Sequence, residues 1–149
     1  MQRFENILTI ERPVEDVFAF LADFEKIPIW NYAIEETTKT SPGPVGVGTT
    51  YRQTRSIPRR SEEKFEVTAF EPVRGLAIRG QIGPFRTRAS YEFTSVGGAT
   101  RLTNEVDIEP SSGALRLLAP LAVPRVKAAV AANLGELKRI LERGERRDF

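Results

Sequence analysis

Apolar and polar residues recur along this chain with two different periods, and the change of period divides it into three regions. Between residues 33 and 110 apolar residues fall at every second position, which is typical of strands with one buried face. Before and after that region they recur every three or four positions, which is typical of amphipathic helices. The pattern therefore predicts a block of strands flanked by helical segments.

The first region predicts one strand and two short helices. Residues 4–10 alternate loosely, and a helix follows at Pro13, because proline is tolerated at a first helical position, where its missing N–H would be unpaired. The apolar face of this helix ends near Asp23. We expect a second short helical turn over residues 24–30, broken by Pro28.

The middle region predicts a meander of strands. A first strand begins at Ala33, and a loop rich in proline and glycine follows it at residues 42–48. Short turns separate the remaining strands, so neighbours along the chain are expected to pair antiparallel. These strands are predicted at residues 49–57, 62–70, 73–82, 85–95 and 100–109.

The last two strands have a register that can be checked from the sequence. A tight loop at residues 96–99 sets Phe93 opposite Leu102 on one face and Arg86 opposite Glu109 on the other. A slip of one residue would destroy both patterns at once. The same register pairs Tyr91 with Asn104, Ala89 with Val106, Thr87 with Ile108 and Arg88 with Asp107.

The third region predicts a long helix over residues 121–143, about 34 Å long at 1.5 Å per residue and able to cross the whole sheet. Pro120 and Pro124 are expected to interrupt its start. These prolines either bend a helix or mark residues 115–124 as a mobile lid, and the sequence leaves both alternatives open. Residues 144–149 are predicted to fray.

Composition removes several classes of chemistry. With 149 residues, no cysteine and no histidine, the chain is predicted to be one domain, residues 1–149, without disulfides, metal site or cofactor. The absence of histidine also removes the commonest general base. Any catalysis would have to use Asp, Glu, Tyr, Lys or Arg.

The charges predict no nucleic-acid partner. The 22 basic and 20 acidic residues are interspersed rather than gathered into a basic stripe. The N-terminus lacks the apolar run of a signal peptide, and no apolar stretch approaches the roughly 20 residues that span a bilayer. We therefore expect a cytoplasmic protein that is not an integral membrane protein, as a monomer or a homodimer.

The order of elements resembles a known superfamily. The phrases that carry the resemblance are IERPVEDVF at residues 10–18, LAD at residues 21–23, Trp30, residues 48–49, 70–72 and 98–103, and the helix at residues 134–141. In this order they resemble the START / birch-pollen-allergen-like superfamily, and within it the bacterial polyketide cyclase/dehydrase and lipid-transport (SRPBCC-type) family. The resemblance covers essentially the whole chain.

The resemblance implies an α+β helix-grip fold, in which a seven-stranded curved antiparallel sheet wraps around a long C-terminal helix and encloses a cavity. Members of this superfamily bind apolar or aromatic molecules, and some are cyclases, dehydratases or aromatases. Their catalytic residues have no position-by-position match in this chain, so none is carried over.

Strand alternation predicts which residues line the cavity. On the strand that begins at residue 49, alternation places the side chains of Tyr51, Gln53, Arg55 and Ile57 on the inner face of the sheet. On the next strand it places Glu63, Phe65, Val67 and Ala69 there. The predicted ligand-binding residues are Trp30, Tyr51, Gln53, Arg55, Glu63, Phe65, Thr87, Tyr91, Asn104, Val106, Leu118, Val126 and Val130.

Three interpretations of these residues stay open. A hairpin centred near Arg59 sets Arg55 opposite Glu63, either as a salt bridge at the rim or as a catalytic couple. Tyr91 with Asn104 is either an internally satisfied pair or one that orients a ligand. Trp30 is either a core plug or a stacking platform.

We predict a protein that binds a small hydrophobic lipid-, polyketide- or aromatic-like ligand. The first alternative is a polyketide cyclase or dehydratase in which Tyr91 or Glu63 performs acid–base chemistry and Arg55 stabilises an enolate-like oxygen. The second alternative is a protein-interaction module.

Overall fold

The computed structural model describes residues 2–144; of the predicted frayed tail, residues 144–149, only Gly144 lies within them, and it ends the last helix. The strands are β1 (Gln2–Ile10), β2 (Ile34–Lys39), β3 (Thr50–Arg55), β4 (Ser61–Glu71), β5 (Gly75–Ile82), β6 (Phe85–Val96) and β7 (Ala99–Pro110). The helices are α1 (Val14–Ala22), α2 (Ile27–Trp30), α3 (Gly113–Arg116) and α4 (Ala119–Gly144), with a 3₁₀ turn at Phe24–Lys26.

All seven strands form one antiparallel sheet in the order β1-β7-β6-β5-β4-β3-β2. Consecutive strands from β2 to β7 are neighbours, and β1 closes the far side by pairing with β7. The edges of the sheet are therefore β1 and β2. The predicted α+β architecture is confirmed.

The two short helices fill one end of the sheet with aromatic side chains. α1 begins after Pro13 and buries Phe18, whose ring meets Phe70 and Phe93 edge to face at centroid distances of 5.5 and 5.1 Å. The sequence predicts that Pro28 breaks the second helical segment, but the structure shows no break at this residue. It lies at one of the first two positions of α2, where no helical partner is lost.

The predicted register of β6 and β7 is present throughout both strands. Gly97 and Gly98 form the turn with φ values of 56° and 86°, a conformation that favours glycine and matches the twist of a two-residue hairpin. Arg86 and Glu109 form the expected ion pair at 2.9 Å. Asp107 lies opposite Arg88 but is bound by Arg3 of β1, at 2.6 Å.

The β3–β4 hairpin differs from its predicted register by two residues. Glu63 pairs with Gln53, and Arg55 pairs with Ser61, so the hairpin is centred on Pro58 and not on Arg59. A shift of two residues keeps every side chain on its own face, so the apolar pattern cannot detect it.

Two residues predicted to face inward do not. Ala69 is exposed because the β4–β5 register shifts between Val67 and Ala69, and this irregularity turns Phe70 toward the core instead. Ile57 lies beyond the end of β3 and is 46% exposed.

α4 is longer at its start than the sequence indicates. It begins at Ala119, so Pro120 falls within its first turn, where proline is tolerated, and Pro124 lies inside the helix. The prediction that these prolines interrupt the helix is wrong. Pro124 has no N–H to donate, so the helix only loses the hydrogen bond to the Pro120 carbonyl.

The interior consists of two groups of packed side chains. The main core joins α1, α2 and the second half of α4 to the sheet; its buried residues are Ile10, Val17, Phe18, Leu21, Ala22, Phe24, Ile27, Trp30, Ile34, Tyr51, Phe65, Val67, Leu76, Phe93, Leu102, Leu134, Leu137 and Leu141. The second cluster is smaller and lies under the first half of α4; it contains Phe4, Phe85, Ala89, Val106 and Ile108, with the partly buried Ala122, Val123, Val126 and Val130.

Candidate ligand-binding site

The second cluster is the floor of the candidate site. Its sheet residues are buried, whereas the side chains of α4 that face them, such as Val126 and Val130, are only half-buried. Tyr91, Ile78 and Val130 contact both this cluster and the main core. The first half of α4 therefore covers the sheet less tightly than the second half does.

The predicted site residues divide into five groups. Trp30, Tyr51 and Phe65 belong to the main core, Val106 and Val126 to the second cluster, and Tyr91 and Val130 touch both. Gln53, Glu63, Thr87 and Asn104 are buried polar residues, and Arg55 is half-buried. Leu118 is 54% exposed in the link between α3 and α4, so the structure does not bring it to the floor of the site.

Glu63 is the centre of a polar network at one rim. Its carboxylate accepts hydrogen bonds from Gln53 Nε2 at 2.9 Å, Arg55 Nε at 2.7 Å and the Gly83 N–H at 2.8 Å. The Glu63 side chain is 4% exposed and that of Arg55 is 16% exposed. Three donors thus compensate the burial of one carboxylate. The two terminal nitrogens of Arg55 donate to no described residue.

No pattern in the sequence indicated the Gly83 contact, which connects this network to the segment before α3. The carbonyl of Pro84, the next residue, accepts from the N–H and the hydroxyl of Ser111 at 3.0 and 2.9 Å. The β5–β6 turn therefore holds both Glu63 and the start of the α3 segment. The glycine–proline turn in the sequence was the only available signal for it.

Tyr91 and Asn104 are cross-strand neighbours but do not hydrogen-bond to each other. Asn104 is fully buried and is satisfied elsewhere: its amide group donates to the Ser90 carbonyl at 3.2 Å and accepts from Asn6 Nδ2 at 3.3 Å. Burial raises the pKa of Tyr91 to about 12. The Tyr91 hydroxyl has no hydrogen-bond partner among residues 2–144.

Trp30 carries a buried donor with no acceptor. Among the described residues its Nε1 is the one buried side-chain polar atom that makes no hydrogen bond. Other buried polar side chains are bonded within the protein: Thr37 donates to Gln53, and Thr100 donates to the Arg12 carbonyl at 2.8 Å. An unpaired buried donor costs about 1–3 kcal/mol, so it is an unusual feature in an otherwise satisfied interior.

One concavity of about 630 Å³ lies away from these polar residues. Its charged residues alternate along their strands with inward-facing ones, so it opens mainly on the outer face of the sheet. It is lined by Thr40, Thr50, Tyr51, Arg52, Lys64, Phe65, Glu66, Arg79 and Gly80. Of the predicted ligand-binding residues, only Tyr51 and Phe65 contribute to it.

A second concavity, of about 210 Å³, lies where the first turn of α4 meets the ends of β1 and β7. It is lined by Gln2, Glu109, Pro110, Arg116, Ala119 and Pro120. None of these residues belongs to the second cluster, and the volume is below the roughly 300–1,000 Å³ of typical small-molecule sites. Movement of the first half of α4 away from the sheet would enlarge it.

Within residues 2–144 no helix is long and apolar enough to cross a bilayer, and no group of three or more acidic side chains is arranged to hold a metal ion.

Comparison with known proteins gives one family match. Residues 1–142 match the family described as polyketide cyclase / dehydrase and lipid transport. No protein of curated function matches the chain.

Solved structures share the fold at low sequence identity. The Zhui aromatase/cyclase from Streptomyces sp. R1128 is 14% identical with a TM-score of 0.78, over 96% of this chain and 94% of that one. The di-domain ARO/CYC StfQ from the steffimycin biosynthetic pathway is 16% identical with a TM-score of 0.80, over 99% of this chain and 52% of that one. Ara h 8.0201 is 15% identical with a TM-score of 0.76, over 94% of this chain and 97% of that one.

These likenesses establish the helix-grip fold, in which a curved seven-stranded antiparallel sheet is covered by a long C-terminal helix. The family match extends over nearly the whole chain. The chain therefore belongs to the polyketide cyclase/dehydrase and lipid transport family.

Proposed function

We propose that this protein binds a small, mainly apolar molecule bearing at least one hydrogen-bond acceptor, between the second cluster and the first half of α4. The observation that carries the proposal is the contrast between satisfied and unsatisfied polar groups. Asn104 and Glu63 have their partners within the protein, whereas the hydroxyl of Tyr91, which contacts both clusters, has none among the described residues. Binding sites of this kind combine an apolar wall with a few placed polar groups.

The half-buried side chains of α4 support this location. Val123, Val126 and Val130 lie over buried sheet residues but keep part of their surface accessible. A ligand that replaces water there would bury apolar surface at about 25 cal/mol per Å². Because the concavity at the first turn of α4 is small, binding requires the start of α4 to move outward.

The geometry favours binding over general-base catalysis by Glu63. Its carboxylate already accepts three hydrogen bonds, which hold the β3–β4 hairpin to the β5–β6 turn. Tyr91 keeps its proton at neutral pH because burial raises its pKa to about 12. It therefore acts as a hydrogen-bond donor and not as a base.

A second candidate function is a polyketide cyclase or dehydratase, which the family match supports. The specific observation in its favour is that Tyr91 has a protonated hydroxyl and Arg55 has two free terminal nitrogens. Such donors can stabilise an enolate-like oxygen in an apolar site. Catalysis would then depend on positioning and charge stabilisation, with the substrate supplying most of the chemistry.

Trp30 is the only tryptophan of the chain, which makes it an intrinsic reporter of binding. We expect cis-parinaric acid, an apolar chain with one carboxylate, to bind saturably and to quench Trp30 emission. Tyr91→Phe removes one donor without changing shape, and it is expected to weaken binding about three- to tenfold.

The matched control is Tyr32→Phe, because Tyr32 is 59% exposed and contacts neither cluster. It is expected to leave the affinity unchanged. If Tyr91→Phe and Tyr32→Phe bind the probe with equal affinity, the Tyr91 hydroxyl does not contribute to the binding site. If neither cis-parinaric acid nor 8-anilinonaphthalene-1-sulfonate binds saturably, the proposal is wrong. Turnover that falls with Arg55→Ala would favour the enzyme.

A further inference from the structure

The junction of α3 and α4 exposes three leucines within five residues. Leu117 is 83% exposed, Leu118 is 54% exposed and Leu121 is 73% exposed. Leu117 and Leu118 link α3 to α4, and Leu121 lies in the first turn of α4. Isolated exposed leucines are common, but three adjoining ones form a continuous apolar surface that indicates an interaction site.

The charges within residues 111–135 all have one sign, and Glu109, which lines the concavity beside Arg116, lies outside this stretch. Residues 111–135 contain no aspartate or glutamate, a property that they share with residues 37–61. The basic residues in this stretch are Arg116, Arg125 and Lys127. All three are exposed, and none forms an ion pair with a described residue. We call the three leucines and these three basic residues the basic leucine patch.

We propose that the basic leucine patch docks the protein on anionic phospholipid bilayers. Leucines next to Lys and Arg, with no acidic residue among them, match the apolar interior and the negative surface of such a bilayer. Residues 111–135 also contain no aromatic residue, although aromatic anchors dominate protein–protein hot spots. Since no described helix can span a bilayer, the patch would lie on the membrane surface.

The patch lies at the place where a ligand would enter. Arg116, Ala119 and Pro120 line the concavity of about 210 Å³ at the first turn of α4. Insertion of Leu117 and Leu121 among lipid tails would draw the start of α4 away from the sheet. This part of the proposal, exchange of an apolar ligand with the membrane, rests on the proposed function, whereas the docking surface does not.

The test is flotation with vesicles of phosphatidylcholine alone and with about 30% phosphatidylglycerol. The wild-type protein is expected to bind the anionic vesicles at least tenfold more tightly and to lose most of this binding at about 0.5 M salt. Leu117→Ser with Leu121→Ser, and separately Arg125→Gln with Lys127→Gln, are each expected to weaken vesicle binding about tenfold.

Matched controls alter equally exposed groups elsewhere. Ile7→Ser with Val47→Ser removes side chains that are 61% and 70% exposed, and this pair is expected to change vesicle binding less than about twofold. Equal binding by patch and control variants, or no preference for anionic vesicles, would overturn the docking surface. So would a dimer in solution that the leucine variants dissociate, because the patch would then be covered by a second copy.

Binding of cis-parinaric acid in solution separates this proposal from the preceding one. Both patch variants are expected to bind it as the wild type does, because none of the four substituted residues lies in the proposed site. Loss of vesicle binding with intact ligand binding is the expected result. Vesicle docking by a protein that binds no apolar probe would disprove the proposed function and leave the docking surface standing.

Discussion

The two halves of α4 have leucines of the same type in opposite environments. In the second half, Leu134, Leu137 and Leu141 are 2%, 0% and 1% exposed, whereas Leu121 in the first turn is 73% exposed. The second half packs against α2 and β1, and its leucines belong to the main core. The first half covers the second cluster with half-buried valines, and its one leucine, Leu121, is exposed.

This difference in burial divides α4 into a second half that is part of the main core and a first half that covers the sheet less tightly. Leucines spaced by three and four residues make the second half a fixed part of the core, with dense contacts on all sides. The first half presents valines to the sheet, contains two prolines and has no acidic residue in its own sequence. We therefore propose that the second half of α4 serves stability and the first half ligand binding, and the following predictions test this division.

The largest expected effect is the loss of a leucine from the second half. Leu137→Ala leaves a cavity in the main core and is expected to lower the free energy of unfolding by about 2–5 kcal/mol. Leu121→Ala is the matched control, because the residue is 73% exposed and the change is expected to stay within about 0.5 kcal/mol. Urea titrations of both variants measure the difference. Similar losses in the two variants would show that the first half is also part of the fixed core.

A smaller effect is expected at the rim network beside the first half. Glu63→Ala leaves Gln53 Nε2 and the Gly83 N–H without their acceptor and is expected to cost about 1–3 kcal/mol. The control is Glu66→Ala, which breaks the more exposed pair with Arg79 and is expected to cost at most about 1 kcal/mol. If the two variants unfold at the same urea concentration, the network does not hold the rim.

The smallest expected effect appears only at alkaline pH. Desolvation raises the pKa of Tyr51 to about 12, with further contributions from Glu25 and Asp23, and burial raises the pKa of Tyr91 to about 12. In the unfolded chain a tyrosine loses its proton near pH 10. The folded state therefore holds more protons between about pH 10 and 12, and the free energy of unfolding falls as the pH rises through this range.

Phenylalanine variants assign this alkaline loss to the two regions. Tyr51→Phe removes the contribution of the main core, and Tyr91→Phe that of the residue between the two clusters. Denaturant titrations at about pH 9 and 11 are expected to show a smaller fall in each variant than in the wild type. If the free energy of unfolding falls as much in the double variant as in the wild type, other groups cause the loss of stability at alkaline pH.

The sequence predicted the register of β6 and β7 because two independent signals agreed there. Opposite charges and facing apolar residues defined the faces, and Gly97-Gly98 supplied a turn of defined length. The β3–β4 hairpin lacked the second signal. Its apolar pattern was compatible with registers that differ by two residues, and the prediction placed Arg55 opposite Glu63 where the structure has Ser61.

The candidate site was predicted less completely than the fold. The ion pair of Arg55 with Glu63 is present across a diagonal at 2.7 Å, but its third partner, the Gly83 N–H, comes from a different hairpin. Likewise Asn104 is bound by Asn6, which is 98 residues away in sequence. Contacts between distant segments have no local signal, so periodicity could not indicate them.

The sequence by itself determined the order of elements, the antiparallel sheet, the buried faces of most strands and the helix that covers them. These features follow from local periods, caps and turn residues, which are properties of neighbouring positions. The tertiary structure alone decided that the β4–β5 irregularity brings Phe70 inward, that Trp30 Nε1 has no described acceptor, and that Leu118 points outward. Those outcomes depend on which distant surfaces meet, and packing settles that only when the whole sheet and α4 are in place.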